Sequence, residues 1–145
     1  MSGAFYEGEW AEKLVGVAGG GEGSGEEVGK VIGEMEAEGV AFEIDTPITE
    51  YDDTLLSEAA AKGNVDVVEE ALRRGASVAS VSTFGATPLH RACFHGHERV
   101  IRILVAAGAS LTALTSHDSS TPLMKLKDGV DDEIRQLLTP SSQPS

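Results

Sequence analysis

In the second half of the chain Val100, Ile101, Leu104 and Val105 are spaced to share one face of a helix, and Val67, Val68, Ala71 and Leu72 share another a little earlier. The same helical spacing opens the chain. Trp10, Leu14, Val17 and Ala18 stand at i, i+4, i+7 and i+8, while Val28, Val31, Ile32 and Met35 stand at i, i+3, i+4 and i+7. Two amphipathic helices are predicted there, separated by the run GGGEGSG from Gly19 to Gly25. Between Val40 and Asp45 the period changes to two, with Val40, Phe42 and Ile44 alternating with Ala41, Glu43 and Asp45 ahead of Thr46-Pro47. That alternation predicts an extended segment or a hairpin.

The helical faces belong to a repeat. Thr54, Gly63, Val67, Val68, Leu72, Gly75 and Ala76 recur 33 residues later as Thr87, Gly96, Val100, Ile101, Val105, Gly108 and Ala109. A third copy starts one residue late at Thr121-Pro122-Leu123 and ends in Ile134, Leu137 and Leu138 after a one-residue deletion near Gly129. Each copy reads as a helix pair. Thr87 caps a helix whose first position is Pro88, where a missing N–H costs nothing and φ is already helical. Gly96 permits the tight turn between the helices, and Gly108 suits a left-handed residue closing the second. One pair cannot bury its apolar face alone, so the pairs must stack.

Thr87-Pro88-Leu89-His90-Arg91-Ala92 with this period resembles the signature of ankyrin repeats. The middle copy, residues 82–114, is near consensus, and the copies at about 52–81 and 115–139 are degenerate. The resemblance implies an all-α helical solenoid of about three repeats over residues 54–138, with 139–145 a disordered tail. Asp131, Asp132, Glu133, Arg135 and Gln136 surround the apolar residues of the last copy, as suits the polar outer face of a terminal repeat. Gly39-Val40 stands 36 residues before Gly75-Ala76, so residues 1–53 read as a divergent helical pair capping the stack at its N-terminal end. The alternative is an acidic extension without a fold, touching the repeats only through its aromatics.

Charge separates the two parts. Of the 24 acidic and 11 basic residues, residues 1–53 hold 14 acids against Lys13 and Lys30, a balance of −12, and residues 54–145 hold 10 against 9, a balance of −1. The net charge of −13 argues against a general binder of nucleic acid or anionic membrane. Apolar runs are too short to span a bilayer, and the N-terminus has no secretory signal pattern. A single cysteine, Cys93, cannot form an internal disulfide, so a reducing cytoplasmic or nuclear setting is expected.

Candidate chemistry falls away on inspection. Gly25-Glu26-Glu27-Val28-Gly29-Lys30 is not a P-loop, because Ser24 stands where the first glycine belongs and Val31 follows the lysine. His90, Cys93, His95 and His97 cluster within eight residues, but the resemblance gives His90 a structural role and Cys93 a small core position, so no metal is expected. Asp45, Asp52 and Asp53 do not spell a calcium loop, and no nucleophile motif is present. No cofactor and no catalysis are expected.

In ankyrin-like proteins partners bind the concave face made by finger tips and inner helices. That maps here to Thr83 and Phe84, His117, Arg91, Phe94 and His95, and Lys125. An aromatic and an arginine are the residue types that most often anchor interfaces, which singles out Phe84 and Arg91. Phe94 reads equally as packing between helices, Phe84 could fold back on the next finger, and Arg91 could pair with Glu58. The expectation is a monomeric adaptor that binds one protein partner. The alternative is a regulatory or assembly subunit whose acidic N-terminal segment contacts a basic partner or masks the concave face.

Overall fold

The computed structural model describes residues 8–20 and 24–140. Phe5 and Tyr6, the middle of the glycine run and tail residues 141–145 lie outside the described residues. In chain order the elements are α1 (Glu9–Ala18), α2 (Ser24–Ala37), α3 (Leu55–Lys62), α4 (Val65–Arg73), α5 (Pro88–His95), α6 (Glu98–Ala106), a 3₁₀ turn at Leu123–Lys125 and α7 (Asp132–Leu138). The architecture is a helical solenoid of about three repeats, and no strand occurs among the described residues. Residues 41–45 form an irregular finger rather than a hairpin: among the described residues no backbone–backbone ladder pairs them with another segment, and the neighbouring Ser77 N–H donates to the Asp45 carboxylate at 2.8 Å instead. Their alternation has another origin: Phe42 and Ile44 lean on the core while Glu43 and Asp45 are exposed.

Local chemistry starts α3 and α5. Thr54 Oγ1 accepts from the Ser57 N–H at 3.2 Å, and Thr87 Oγ1 accepts from the His90 N–H at 3.3 Å. His90 closes a capping box: the Thr87 N–H donates to its Nδ1 at 3.1 Å, and its Nε2 lies 2.8 Å from the Ser120 carbonyl. An Nδ1 that accepts a backbone proton leaves the ring hydrogen on Nε2, where it reaches into the third finger. Gly96 ends α5 at φ +72°.

Successive pairs are tied by the residue after the inter-helix glycine. His97 Nε2 sits 2.9 Å from the Ala61 carbonyl at the end of α3, and its ring lies so close to Gly63 that a Cβ there would be 2.6 Å from Nδ1. One repeat earlier Asn64 does the same for the cap. Its Nδ2 lies 3.1 Å from the Ala18 carbonyl, 2.7 Å from that of Gly20 and 2.8 Å from Ser24 Oγ, while its Oδ1 accepts from the Val67 N–H at 3.2 Å. Asn64 thus ties α1 and α2 to the first repeat. Ala11, Leu14 and Ala18 from α1 and Val28, Val31, Ile32 and Met35 from α2 share one buried core with Leu55, Leu56, Val67 and Val68. Trp10 and Val17 are only partly buried.

The third copy is shortened. Its inner helix is the 3₁₀ turn alone, after which Leu126 becomes extended (ψ 128°) and the Lys127 N–H donates to the Cys93 carbonyl at 2.9 Å. Eight residues of α-helix do not fit before the deletion at Gly129. In α7, Ile134 and Leu138 are buried while Asp131, Asp132, Glu133, Arg135 and Gln136 are exposed.

Three outcomes follow from this packing. Leu104 is fully buried, so Leu104→Ala is expected to cost about 2–5 kcal/mol in denaturant unfolding, the usual toll of emptying a leucine site. Asn64→Ala removes a helix cap and the amide that reaches the Ala18 and Gly20 carbonyls, so a loss of about 1–3 kcal/mol is expected, with hydrogen exchange accelerating in α1 before α5. Burial holds the His90 pKa below its ordinary 6.5, against the opposing pull of the Ser120 carbonyl. The fold therefore favours the neutral ring, so the unfolded chain binds the extra proton first: stability is full above about pH 6.5 and falls as pH drops through the folded value. An NMR titration of His90 should place its midpoint below 6.5, and a midpoint at or above it would contradict the neutral capping box.

Candidate functional site

The fingers are built alike. Each closes on itself, through Ile48 N–H to Asp53 carbonyl at 2.8 Å, Ser82 N–H to Ala86 carbonyl at 3.0 Å and Thr115 N–H to Ser120 carbonyl at 3.1 Å. Each is then tied to the one before. The Thr83 N–H donates to the Tyr51 carbonyl at 2.8 Å, and the Ser116 N–H donates to the Phe84 carbonyl at 2.9 Å. This fixed translation brings the rings of Tyr51, Phe84 and His117, spaced 33 residues apart, into a file. Tyr51 and Phe84 lie 6.2 Å apart and nearly parallel, and His117 meets Phe84 edge-on at 6.3 Å. Tyr51 stays 51% exposed and Phe84 53%.

Beside that file the inner helices display Phe94, 60% exposed, with His95 edge-on to it at 5.1 Å. His95 also stacks on His97 at 5.9 Å. Burial, and then the positive neighbours His97, Arg91, Lys62 and Lys127, lower the His95 pKa. Arg91 is engaged by the preceding repeat. Its Nη1 lies 2.5 Å from Asp53 Oδ1 and its Nη2 3.3 Å from Glu58 Oε1, both carboxylates being nearly enclosed. The stack therefore uses this cation: of the two readings open from sequence, contact residue or partner of Glu58, the pairing is present, and Asp53 joins it. Lys125 donates to Asp118 Oδ2 at 2.7 Å, and hydrogen bonds from Lys125, Thr115 and Ser120 hold Asp118 well below the usual carboxylate range.

Fingers and inner helices enclose a groove of about 830 Å³ that also takes in Glu12 and Val15 of α1, Ile48 and Glu50. A second hollow of about 360 Å³ continues it toward the third repeat and shares Phe84, Ala86, Arg91, Phe94 and His95. Six of the candidates read from sequence, Phe84, Arg91, Phe94, His95, His117 and Lys125, line these hollows. Thr83 does not; its hydroxyl is 3.3 Å from Asp52. Tyr51 was missed, although its place 33 residues before Phe84 marks it. Glu12 and Val15 carry no such signal, because their position depends on how the cap docks.

The surface offers contact chemistry. Burial pushes the Cys93 thiol up to about 12, so it stays protonated and unreactive. Among the described residues no group of three or more His, Cys, Asp or Glu is placed to hold a metal ion, and no helix is long and apolar enough to cross a membrane.

The repeat pattern of the sequence matches known proteins. A family model described as ankyrin repeats in three copies matches residues 37–115 and again 56–139. The ankyrin repeat-containing protein ITN1 of Arabidopsis thaliana is 32% identical over 100 residues, 68% of this chain and 16% of its own length. Protein phosphatase 1 regulatory subunit 27 of Homo sapiens is 32% identical over 83 residues, 57% of this chain and 51% of its own. The ankyrin repeat, SAM and basic leucine zipper domain-containing protein 1 of Microcebus murinus is 29% identical over 143 residues, 86% of this chain and 30% of its own. The chain thus spans at most about half the length of these relatives. Ankyrin repeats are generally protein–protein interaction modules, and with family matches running from residue 37 to residue 139 this chain belongs to the ankyrin-repeat family.

Proposed function

We propose that the chain is a non-catalytic adaptor that binds a protein partner across its concave face, with Phe84, Phe94 and Tyr51 as apolar contacts and Arg91, His95, His117 and Lys125 around them. The observation that carries this reading is the exposure of Phe84 and Phe94, each more than half open to solvent at the centre of one groove. Neither ring is needed to close the core, so a surface that leaves both open is suited to covering by another molecule. The reading places the chain in the cytoplasm or nucleus as a monomer.

A second reading has its own support. Glu12 and Val15 of the acidic N-terminal pair form one wall of the groove, so that segment can take part in contact with a basic partner or regulate access to the face. One relative is named as a regulatory subunit of a phosphatase, which is compatible with such a role.

Phe84→Ala and Phe94→Ala are each expected to leave thermal unfolding within about 1 kcal/mol of the parent, as exposed positions usually do, and to weaken binding of a captured partner by about 1–2 kcal/mol or more. Arg91→Ala behaves differently, because removing the guanidinium strands Asp53 and Glu58. It should cost about 1–3 kcal/mol of stability whatever it does to binding. Affinity purification with mass spectrometry, comparing parent and the Phe84/Phe94 double variant, identifies partners lost with the two rings. Native partner affinity in that double variant would refute the concave-face assignment.

A further inference from the structure

The charge lining the groove restricts what can fill it; this inference rests on the concave-face reading above. Glu12, Glu50, Asp53, Glu58 and Asp118 line the two hollows against Arg91 and Lys125, five acids to two bases and a balance of −3 with histidines counted neutral. Both bases are already committed, Arg91 to Asp53 and Glu58 and Lys125 to Asp118. Glu12 and Glu50 are exposed and have no ion pair among the described residues. Unpaired negative charge therefore collects at the cap end, next to Tyr51 and Phe84, whose ring faces also attract cations. An acidic occupant would meet Glu12 and Glu50 uncompensated. An occupant without charge would leave that end unmatched, since complementary potentials set partner choice and encounter rate.

We propose that the groove accepts an extended segment of a partner protein in which Lys or Arg lies close in sequence to a large apolar or aromatic side chain. The apolar side chain rests on Phe84 and Phe94, and the basic group reaches toward Glu12 and Glu50 beside Tyr51. The docked N-terminal pair is then a working part of the site, because α1 supplies Glu12 and Val15 to its wall.

The test is selection of a phage-displayed random 16-residue peptide library on the full chain, followed by fluorescence anisotropy with the most enriched peptide, fluorescein-labelled, against the parent, E12Q/E50Q and F84A/F94A proteins. Circular dichroism confirms that both variants, changed only at exposed positions, remain folded. The expected peptides pair Lys or Arg with an aromatic or large aliphatic residue, and their affinity falls as NaCl is raised. E12Q/E50Q should weaken them by roughly three- to tenfold, the scale of two exposed ion pairs. F84A/F94A should weaken them more. Enrichment of acidic or uncharged peptides, or undiminished binding by E12Q/E50Q, overturns the basic occupant, while leaving the concave face in place if F84A/F94A still loses binding. Peptides indifferent to F84A/F94A overturn the concave-face reading itself. No enrichment above that on an unrelated acidic protein overturns the linear segment as occupant.

Discussion

Every helix pair in this chain has an apolar face that only the next pair can cover, and that constraint governs the rest of the structure. Val67, Val68 and Ala71 in one pair and Val100, Ile101 and Leu104 in the next are buried in one continuous core, although no single pair holds enough area to fold alone. A stack of this kind must end somewhere. At its C-terminal end the chain reduces the inner helix to a 3₁₀ turn and turns a polar α7 face outward, with Ile134 and Leu138 alone fully buried there. At the other end α1 and α2 add buried side chains of their own to the same core.

Stacking also needs polar register. Burial is indifferent to small rotations, whereas a side chain that must meet a particular carbonyl is not. Asn64 and His97 occupy equivalent places and reach back to the end of the preceding inner helix, the first with an amide and the second with an imidazole. Two chemistries satisfy one geometric demand. His90 ties forward instead, through Ser120, so the second repeat is bonded to both neighbours. Arg91 adds an ionic link to Asp53 and Glu58 at the edge of the groove, where the fold and the contact surface share a residue.

The same translation creates the surface. Once consecutive fingers are bonded through Tyr51 to Thr83 and Phe84 to Ser116, a ring at the tip of one finger meets a ring at the tip of the next. The file of Tyr51, Phe84 and His117 is therefore a product of the stacking, and Tyr51 and Phe84 in it stay exposed. Charge enters separately. The two cations that line the groove, Arg91 and Lys125, are paired internally, whereas Glu12 and Glu50 have no ion pair among the described residues. The groove consequently retains the acidic sign of the whole chain even though it contains Arg91 and Lys125.

The sequence by itself determined the repeat, its period and the caps, because these rest on local chemistry: a hydroxyl three residues before an N–H, a proline at a first helical position, a glycine at φ +72°, apolar residues at helical spacing. The apolar faces of the two N-terminal helices were likewise plain at Leu14 and Val28. Two readings needed the third dimension because the local pattern was ambiguous. The alternation at Val40 to Asp45 records one side of an irregular finger leaning on the core, and alternation alone cannot supply the neighbouring backbone a strand requires. For Arg91 the sequence offers both contact and a pairing with Glu58, and it cannot choose between them or point to Asp53, because an arginine's partners are chosen across repeats by distances that no spacing along the chain encodes. Glu12 and Val15 entered the groove for the same reason: which face of α1 meets the fingers is set by how Asn64 and the shared core seat the cap, and that is a property of the packed whole.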